Sequence, residues 1–250
     1  MAWILGGAAL VVWWMGSAPA ATAQSDPIGR GHDLFITGCS SCHGTDGRGV
    51  KTSAGAERGP SLVNAGSAGA YYQLSTGRMP LEDSTKQAQR KPPAYSADDI
   101  DALVAYVASL GPGPVAPEVN TRGSDLAVGG ELFRANCAPC HSASGAGGAL
   151  SYGQDAPSLH AATARQVGAA VRSGPGQMPT FGPDVLDGTE VDNVAGYVEF
   201  LRHPEDRGGL PIGRTGPVPE GFVAWTLGIG ALLAAVGWIG TRAPARGSGS

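Results

Sequence analysis

The sequence predicts a mainly α-helical protein: two small domains in tandem, followed by one C-terminal helix that crosses a membrane. Three observations carry that prediction. A five-residue motif with two cysteines occurs twice, its copies 98 residues apart. Each copy heads a stretch that closes on an amphipathic segment of helical period. Near the C-terminus, the 19 residues from Phe222 to Gly240 carry no charge.

Composition narrows the class further. The chain holds 40 glycines and 19 prolines in 250 residues, close to twice the usual share of about 12%. No G-X-Y period accompanies them, which excludes collagen. Neither the alternation of a β-sandwich nor a βαβ rhythm is visible. A net charge of −4 without clustered Lys and Arg excludes a nucleic-acid partner. There is no P-loop, no G-x-S-x-G and no paired carboxylates, so no independent catalytic site is expected in this chain.

Residues 1–23 are uncharged and apolar, and end Ala21-Thr22-Ala23 before Gln24. An A-x-A site after an apolar core predicts a signal peptide or an N-terminal membrane anchor. Either delivers the following chain outside the cytoplasm.

The first domain, 24–111, contains Cys39-Ser40-Ser41-Cys42-His43, and the second, 124–203, contains Cys137-Ala138-Pro139-Cys140-His141. Both read C-x-x-C-H, the attachment pattern of c-type haem. Two intervening residues let one helical turn present both sulfurs to the vinyl edge of a porphyrin, and the adjacent histidine reaches the iron. Structural zinc would need four ligands where each site offers three close ones. A thioredoxin-like pair would sit in a βαβ unit, and disulfide cysteines would be dispersed. Two covalently bound haem c groups are therefore expected, one in each of two tandem class I-like cytochrome c domains.

Aligning the motifs exposes a repeat. Leu34-Phe35 answers Leu132-Phe133, Gly59-Pro60-Ser61-Leu62 answers Ala156-Pro157-Ser158-Leu159, and Gly77-Arg78-Met79-Pro80 answers Gly176-Gln177-Met178-Pro179. Of four methionines, only Met79 and Met178 lie beyond the leader, both in a G-x-M-P context. That recurrence predicts the second axial ligands: His43 with Met79, and His141 with Met178. Carbonyls near Pro60 and Pro157 are expected to accept the imidazole N–H. His32, His160 and His203 have no repeat partner and read as peripheral. Each half closes on a helix, with Ile100, Leu103, Val104 and Val107 on one face and Val191, Val194, Ala195 and Val198 on the other. Ser96 with Asp99, and Asp187 with Glu190, supply their caps.

A Pro/Gly linker, 112–123, separates the domains, and a second, 204–221, precedes the membrane helix at 222–240. Trp225 and Trp238 stand near its ends, and Arg242 and Arg246 keep the tail, 241–250, cytoplasmic. The halves differ in length between methionine and cap: 17 residues from Met79 to Ser96, 9 from Met178 to Asp187. The surplus holds Lys86, Arg90 and Lys91 and reads as a partner-docking loop or a solvated insertion.

With its two C-x-x-C-H sites, Ser75-Thr76-Gly77-Arg78-Met79-Pro80, Gly130-Glu131-Leu132-Phe133, and Gly216-Pro217-Val218-Pro219-Glu220-Gly221 leading into the tryptophan-bearing helix, the chain resembles a known family. This is the dihaem cytochrome cc subunit of actinobacterial-type menaquinol–cytochrome c reductase, a cytochrome bc complex that associates with an aa-type terminal oxidase. The N-terminus departs from the family in lacking its basic leader. The resemblance implies a cell-membrane protein whose partners are cytochrome b and Rieske iron–sulfur subunits and an aa-type cytochrome c oxidase. Single electrons would enter from the Rieske protein and leave to the oxidase. The alternatives are a dihaem subunit of a dehydrogenase or cbb-type oxidase, and a dihaem peroxidase.

Overall fold

The computed structural model describes residues 26–202 and 217–242. The leader at 1–23, His203, most of the 204–221 linker and the tail with Arg246 lie outside the described residues.

Each half is built on a crossed pair of helices. Helix α1, Pro27–Gly38, starts where Asp26 Oδ1 accepts from the Ile28 N–H at 3.1 Å, with proline at a position whose own N–H has no helical partner. Its counterpart α5, Leu126–Asn136, is capped by Asp125 in the same way. The closing helices are α4, Ala97–Ser109, and α8, Gly188–Arg202. Both caps read from the sequence are in place. Ser96 Oγ accepts from the Asp99 N–H at 3.2 Å. Asp187 and Glu190 exchange two hydrogen bonds, each 2.8 Å.

Burial follows the helical period. Ile100, Leu103, Val104 and Val107 close on Phe35, while Val191, Val194, Ala195 and Val198 close on Phe133. Both phenylalanines are wholly buried, so each helix pair gains several kcal/mol from one ring alone. The crossings are close because of a residue pair that the periodicity does not show. A Cβ at Gly31 would fall on the Ala102 carbonyl, and one at Gly129 on the Asn193 carbonyl.

After α1 the chain turns into a one-turn helix α2, Ser40–His43, then a two-stranded antiparallel ribbon of β1, Val50–Lys51, and β2, Glu57–Gly59. After α5 the same order recurs as α6, Ala138–His141, with β3, Gly148–Ala149, and β4, Asp155–Ala156. Helices α3, Gly66–Ser75, and α7, Ala164–Ser173, complete the halves and pack against one another. Arg165 of α7 lies over the Tyr71 ring of α3 at 4.0 Å. Gln166 Nε2 donates to the Ser75 carbonyl at 3.1 Å.

The linker is strapped to both halves. The Ala68 N–H donates to the Pro114 carbonyl and the Ala116 N–H to Ser67 Oγ, after which the Asn120 N–H reaches Asp192 Oδ1. The surplus segment after Met79, expected as a partner-docking loop or a solvated insertion, is mostly exposed and also touches the second half. Gln87 exchanges two hydrogen bonds with the Asp155 backbone, 2.7 and 2.9 Å, and Arg90 Nη2 donates to Gln166 Oε1 at 2.8 Å. Gln87, Gln89 and Arg90 thus reach the other half of the same chain.

The last helix, α9, spans Pro217–Arg242, beginning five residues before the expected 222. Proline is well suited to a first turn, and Glu220 there complements the helix dipole. Residues Glu220–Arg242 have a mean hydropathy of 2.0 and bury no part of that apolar window against the protein. At about 1.5 Å per residue the helix is long enough to cross a hydrocarbon core.

Candidate functional site

The turn that carries C-x-x-C-H is fixed by backbone hydrogen bonds before any ligand is considered. Cys39 ends α1 through its N–H to the Phe35 carbonyl, 2.8 Å, and Cys137 ends α5 through Phe133, also 2.8 Å. The His43 N–H bonds the Cys39 carbonyl at 3.0 Å, and the His141 N–H bonds that of Cys137 at 2.9 Å. One turn thus brings both thiols and the imidazole to one wall. The following loop is held by the Gly49 N–H to the His43 carbonyl, 2.7 Å, and by the Gly147 N–H to the His141 carbonyl, 2.9 Å. Both glycines have positive φ, 86° and 91°, and a Cβ on either would strike the β2 or β4 backbone.

The expected carbonyl acceptors are those of Pro60 and Pro157. His43 Nδ1 lies 2.8 Å from the first and His141 Nδ1 lies 2.9 Å from the second. A carbonyl only accepts, so Nδ1 carries the proton and Nε2 is left with its lone pair. That is the tautomer an axial ligand needs. Burial lowers the His141 pKa, against the Pro157 hydrogen bond that raises it, and so favours the neutral ring. Burial also pushes the Cys137 thiol up to about 11 and the Cys39 thiol in the same direction. Burial around Cys39 and Cys137 therefore favours uncharged sulfur, which a thioether supplies. All four cysteines are free of disulfides.

Met79 and Met178 are partly buried, each packed against the apolar core of its own half. The Met79 N–H donates to the Gln73 carbonyl and that of Met178 to the Pro175 carbonyl, both 3.1 Å. Lys91 Nζ holds the Pro80 carbonyl at 2.7 Å behind the first methionine. In the second half, a cavity of about 310 Å³ is lined by Cys137, Cys140, His141 and Met178 together with Phe133 and Val194. A flat macrocycle with sulfur on one edge and donors on both faces fits that lining. His160 is excluded from it, since its Nε2 donates to the Ser144 carbonyl at 2.9 Å. His32 is exposed and stacks edge-on against Tyr106. Sequence reading missed the first-half residues that enter this cavity, Tyr72, Gln73, Arg78 and Arg90. The G-R-M-P context named Arg78 only as a neighbour of Met79.

Comparison with known proteins agrees with this geometry. Residues 28–111 match the family described as cytochrome c, and residues 124–198 match the family described as cytochrome c oxidase, cbb3-type, subunit III. The chain is thus a dihaem c-type cytochrome with a membrane-anchoring helix, and it carries two covalently bound haem c groups. It is 40% identical to the cytochrome bc1 complex cytochrome c subunit of Corynebacterium diphtheriae, over 90% of this chain and 85% of that one. It is 40% identical to the subunit of that name from Mycobacterium tuberculosis, over 96% and 87%, and 38% identical to that from Mycobacterium leprae, over 96% and 84%. The chain belongs to the family of cytochrome bc1 complex cytochrome c subunits, and its work is electron transfer.

Proposed function

We propose that this chain relays single electrons from the Rieske iron–sulfur protein of a menaquinol–cytochrome c reductase to an aa-type terminal oxidase. Haem supplies the one-electron chemistry; the chain supplies attachment, ligation, burial and docking. Cys39 and Cys42 would hold one haem by thioethers and Cys137 and Cys140 the other, within domains at 24–111 and 124–203. His43 with Met79, and His141 with Met178, would supply the axial donors. The observation that supports this reading is that each half holds its C-x-x-C-H imidazole by Nδ1 on a proline carbonyl, which leaves Nε2 free to ligate, and that in the second half His141 and Met178 line one cavity. Ligation by His43 with Met79 and by His141 with Met178 would leave no iron position for a substrate, and a methionine ligand would raise the potential toward that of an oxidase donor.

The haem domains would lie on the extracytoplasmic side of the cell membrane, with the C-terminus cytoplasmic. Cytochrome b and the Rieske protein are the partners that membership of a bc1 complex supports. The cbb3-type match of residues 124–198 supports a second reading, a subunit of a cbb-type oxidase, but over one half of the chain only. A dihaem peroxidase needs a methionine that leaves its iron, and both methionines here are held by core packing.

The test is purification of the native membrane complex, with haem counting and reduction by menaquinol. A b-type cytochrome and a Rieske protein should co-purify with two c haems, and an aa-type oxidase should reoxidise them. Isolation with a dehydrogenase, or reduction that bypasses the Rieske centre, overturns the proposal.

A further inference from the structure

Two buried polar atoms without a hydrogen-bond partner among the described residues, Gln73 Oε1 and Arg78 Nη1, belong to first-half residues that line the second half's cavity. Arg78 is only 8% exposed, with its guanidinium 4.9 Å from the centre of the Tyr72 ring. Arg90 lines the same cavity. Burial lowers its pKa, and the neighbouring Arg78 charge lowers it further. Neither arginine takes part in an ion pair among the described residues. Among the described residues the one carboxylate lining the cavity, Asp155, accepts from Gln89 Nε2 at 3.3 Å and pairs with neither arginine. Arg90 is exposed and donates to Gln166 Oε1, whereas the buried Arg78 guanidinium faces the apolar cavity without a counter-charge, an unfavourable arrangement that calls for an anion.

Haem c carries two propionate carboxylates on the pyrroles that do not bear the thioether bridges. A porphyrin tied to Cys137 and Cys140 would occupy this cavity, whose lining is apolar apart from a few polar groups, and its carboxylates would need partners there. Guanidinium matches carboxylate with paired, charge-assisted hydrogen bonds. A Gln73 amide turned about its last torsion presents N–H to the same group. The second half's counterpart of Arg78 is Gln177, which is exposed and donates to the Ser151 carbonyl. The device therefore runs one way, from the first half into the second.

We infer that Arg78, assisted by Arg90 and Gln73, is a cross-domain binding site for the propionate carboxylates of the haem held in the second half. This rests on the proposed haem attachment at Cys137 and Cys140. Arg78 stands beside Met79, so the strand that delivers one half's axial sulfur also reaches the other half's haem edge. Arg78 acts here as a positioning and potential-setting residue.

The test uses the full-length holoprotein, with haem counted as pyridine haemochrome and both potentials taken from an optical redox titration. Met178→His, which moves the second wave downward, assigns the waves. Arg78→Gln should keep two haems, shift the second wave to lower potential and leave the first in place, because a lost cation disfavours the reduced form. Arg78→Lys, which keeps a point charge, should hold the second wave close to its position in the unaltered protein. Two retained haems with neither wave moved overturn the inference, as does movement of the first wave alone, which assigns the carboxylate to the first half's own haem. Should Arg78→Gln lose haem, Arg90→Gln carries the test: a smaller downward shift of the second wave supports the site, and none overturns it. Failure of the haem assignment itself is distinct, because the unaltered protein would then yield fewer than two haemochromes.

Discussion

The two halves agree on their cysteine side and diverge on their methionine side. Around C-x-x-C-H the hydrogen bonds from Nδ1 to proline carbonyl, and from the loop glycine N–H to histidine carbonyl, recur within a few tenths of an ångström. Past the methionines, the first half spends 17 residues reaching its closing helix and the second 9. Arg78 is buried where Gln177 is exposed, and Gln73 lacks a partner where Arg172 is satisfied by the Phe181 and Leu186 carbonyls. The difference has a chemical origin. Two thioethers and one imidazole on a single turn leave no freedom to the backbone that bears them. A methionine need deliver only one sulfur, and the chain around it is free to take on other work. The first half uses that freedom to dock onto the second.

The strongest attempt to break this likeness is to remove a cysteine. Cys39→Ala should take covalent haem from the first half, and Cys137→Ala from the second, each lowering the haemochrome count from two to one. The emptied half should lose protection in hydrogen exchange, because a domain this small relies on its apolar insert for a core. An unchanged count in either variant contradicts the assignment.

Removing a methionine is the next largest change. Met79→Ala and Met178→Ala should each leave covalent haem in place, open one axial position and lower that potential by some tenths of a volt, within the roughly 0.8 V that axial ligands command. High-spin signal in ferric spectra and a redox titration read both effects. An unaltered spectrum would assign the ligand elsewhere.

A smaller effect tests the surplus segment. Gln87→Ala removes two hydrogen bonds to the Asp155 backbone, together worth about 1–2 kcal/mol. Exchange at β4 should quicken while α4 keeps its protection. No change at β4 would return this segment to the role of a solvated insertion.

Much of this was legible in the sequence because the requirements behind it are local. Spacing of Cys39, Cys42 and His43 is set by one helical turn, the caps at Ser96 and Asp187 by side-chain reach, and the faces of α4 and α8 by a 3.6-residue period. The proline carbonyls were legible because a ligating imidazole needs its other nitrogen held. What stayed hidden is relational. Helices α3 and α7 carry small residues on several faces, so no stripe announces that they pack on each other. Lys86, Arg90 and Lys91 have the composition of a solvated loop, and only the tertiary fold shows Arg90 reaching Gln166 of the other half. Gly31 and Gly129 obey the repeat, but their meaning lies in the carbonyls of Ala102 and Asn193 on partner helices.

The finest contrast lies between the helix pairs themselves. Arg30 grips Asp99 through Nε at 3.0 Å and Nη2 at 2.6 Å, tying α1 to α4. The second half ties the start of α5 to α8 by a neutral bond, the Asp125 N–H to Asn193 Oδ1 at 2.8 Å. The Arg30 hydrogen bond, followed by that from Ser96, holds the Asp99 carboxyl below its ordinary value. A carboxylate lowered in this way contributes stability that is fully present above its unfolded pKa, near 3.8. That contribution is lost as pH falls through the depressed folded value. It is a surface pair and is screened by salt, whereas the Asn193 bond is not. Raising ionic strength at neutral pH should therefore quicken exchange of α4 amides slightly and leave α8 unchanged, and acidification below about pH 4 should widen the gap. Equal responses of α4 and α8 would mean that Arg30 and Asp99 meet without stabilising the first half.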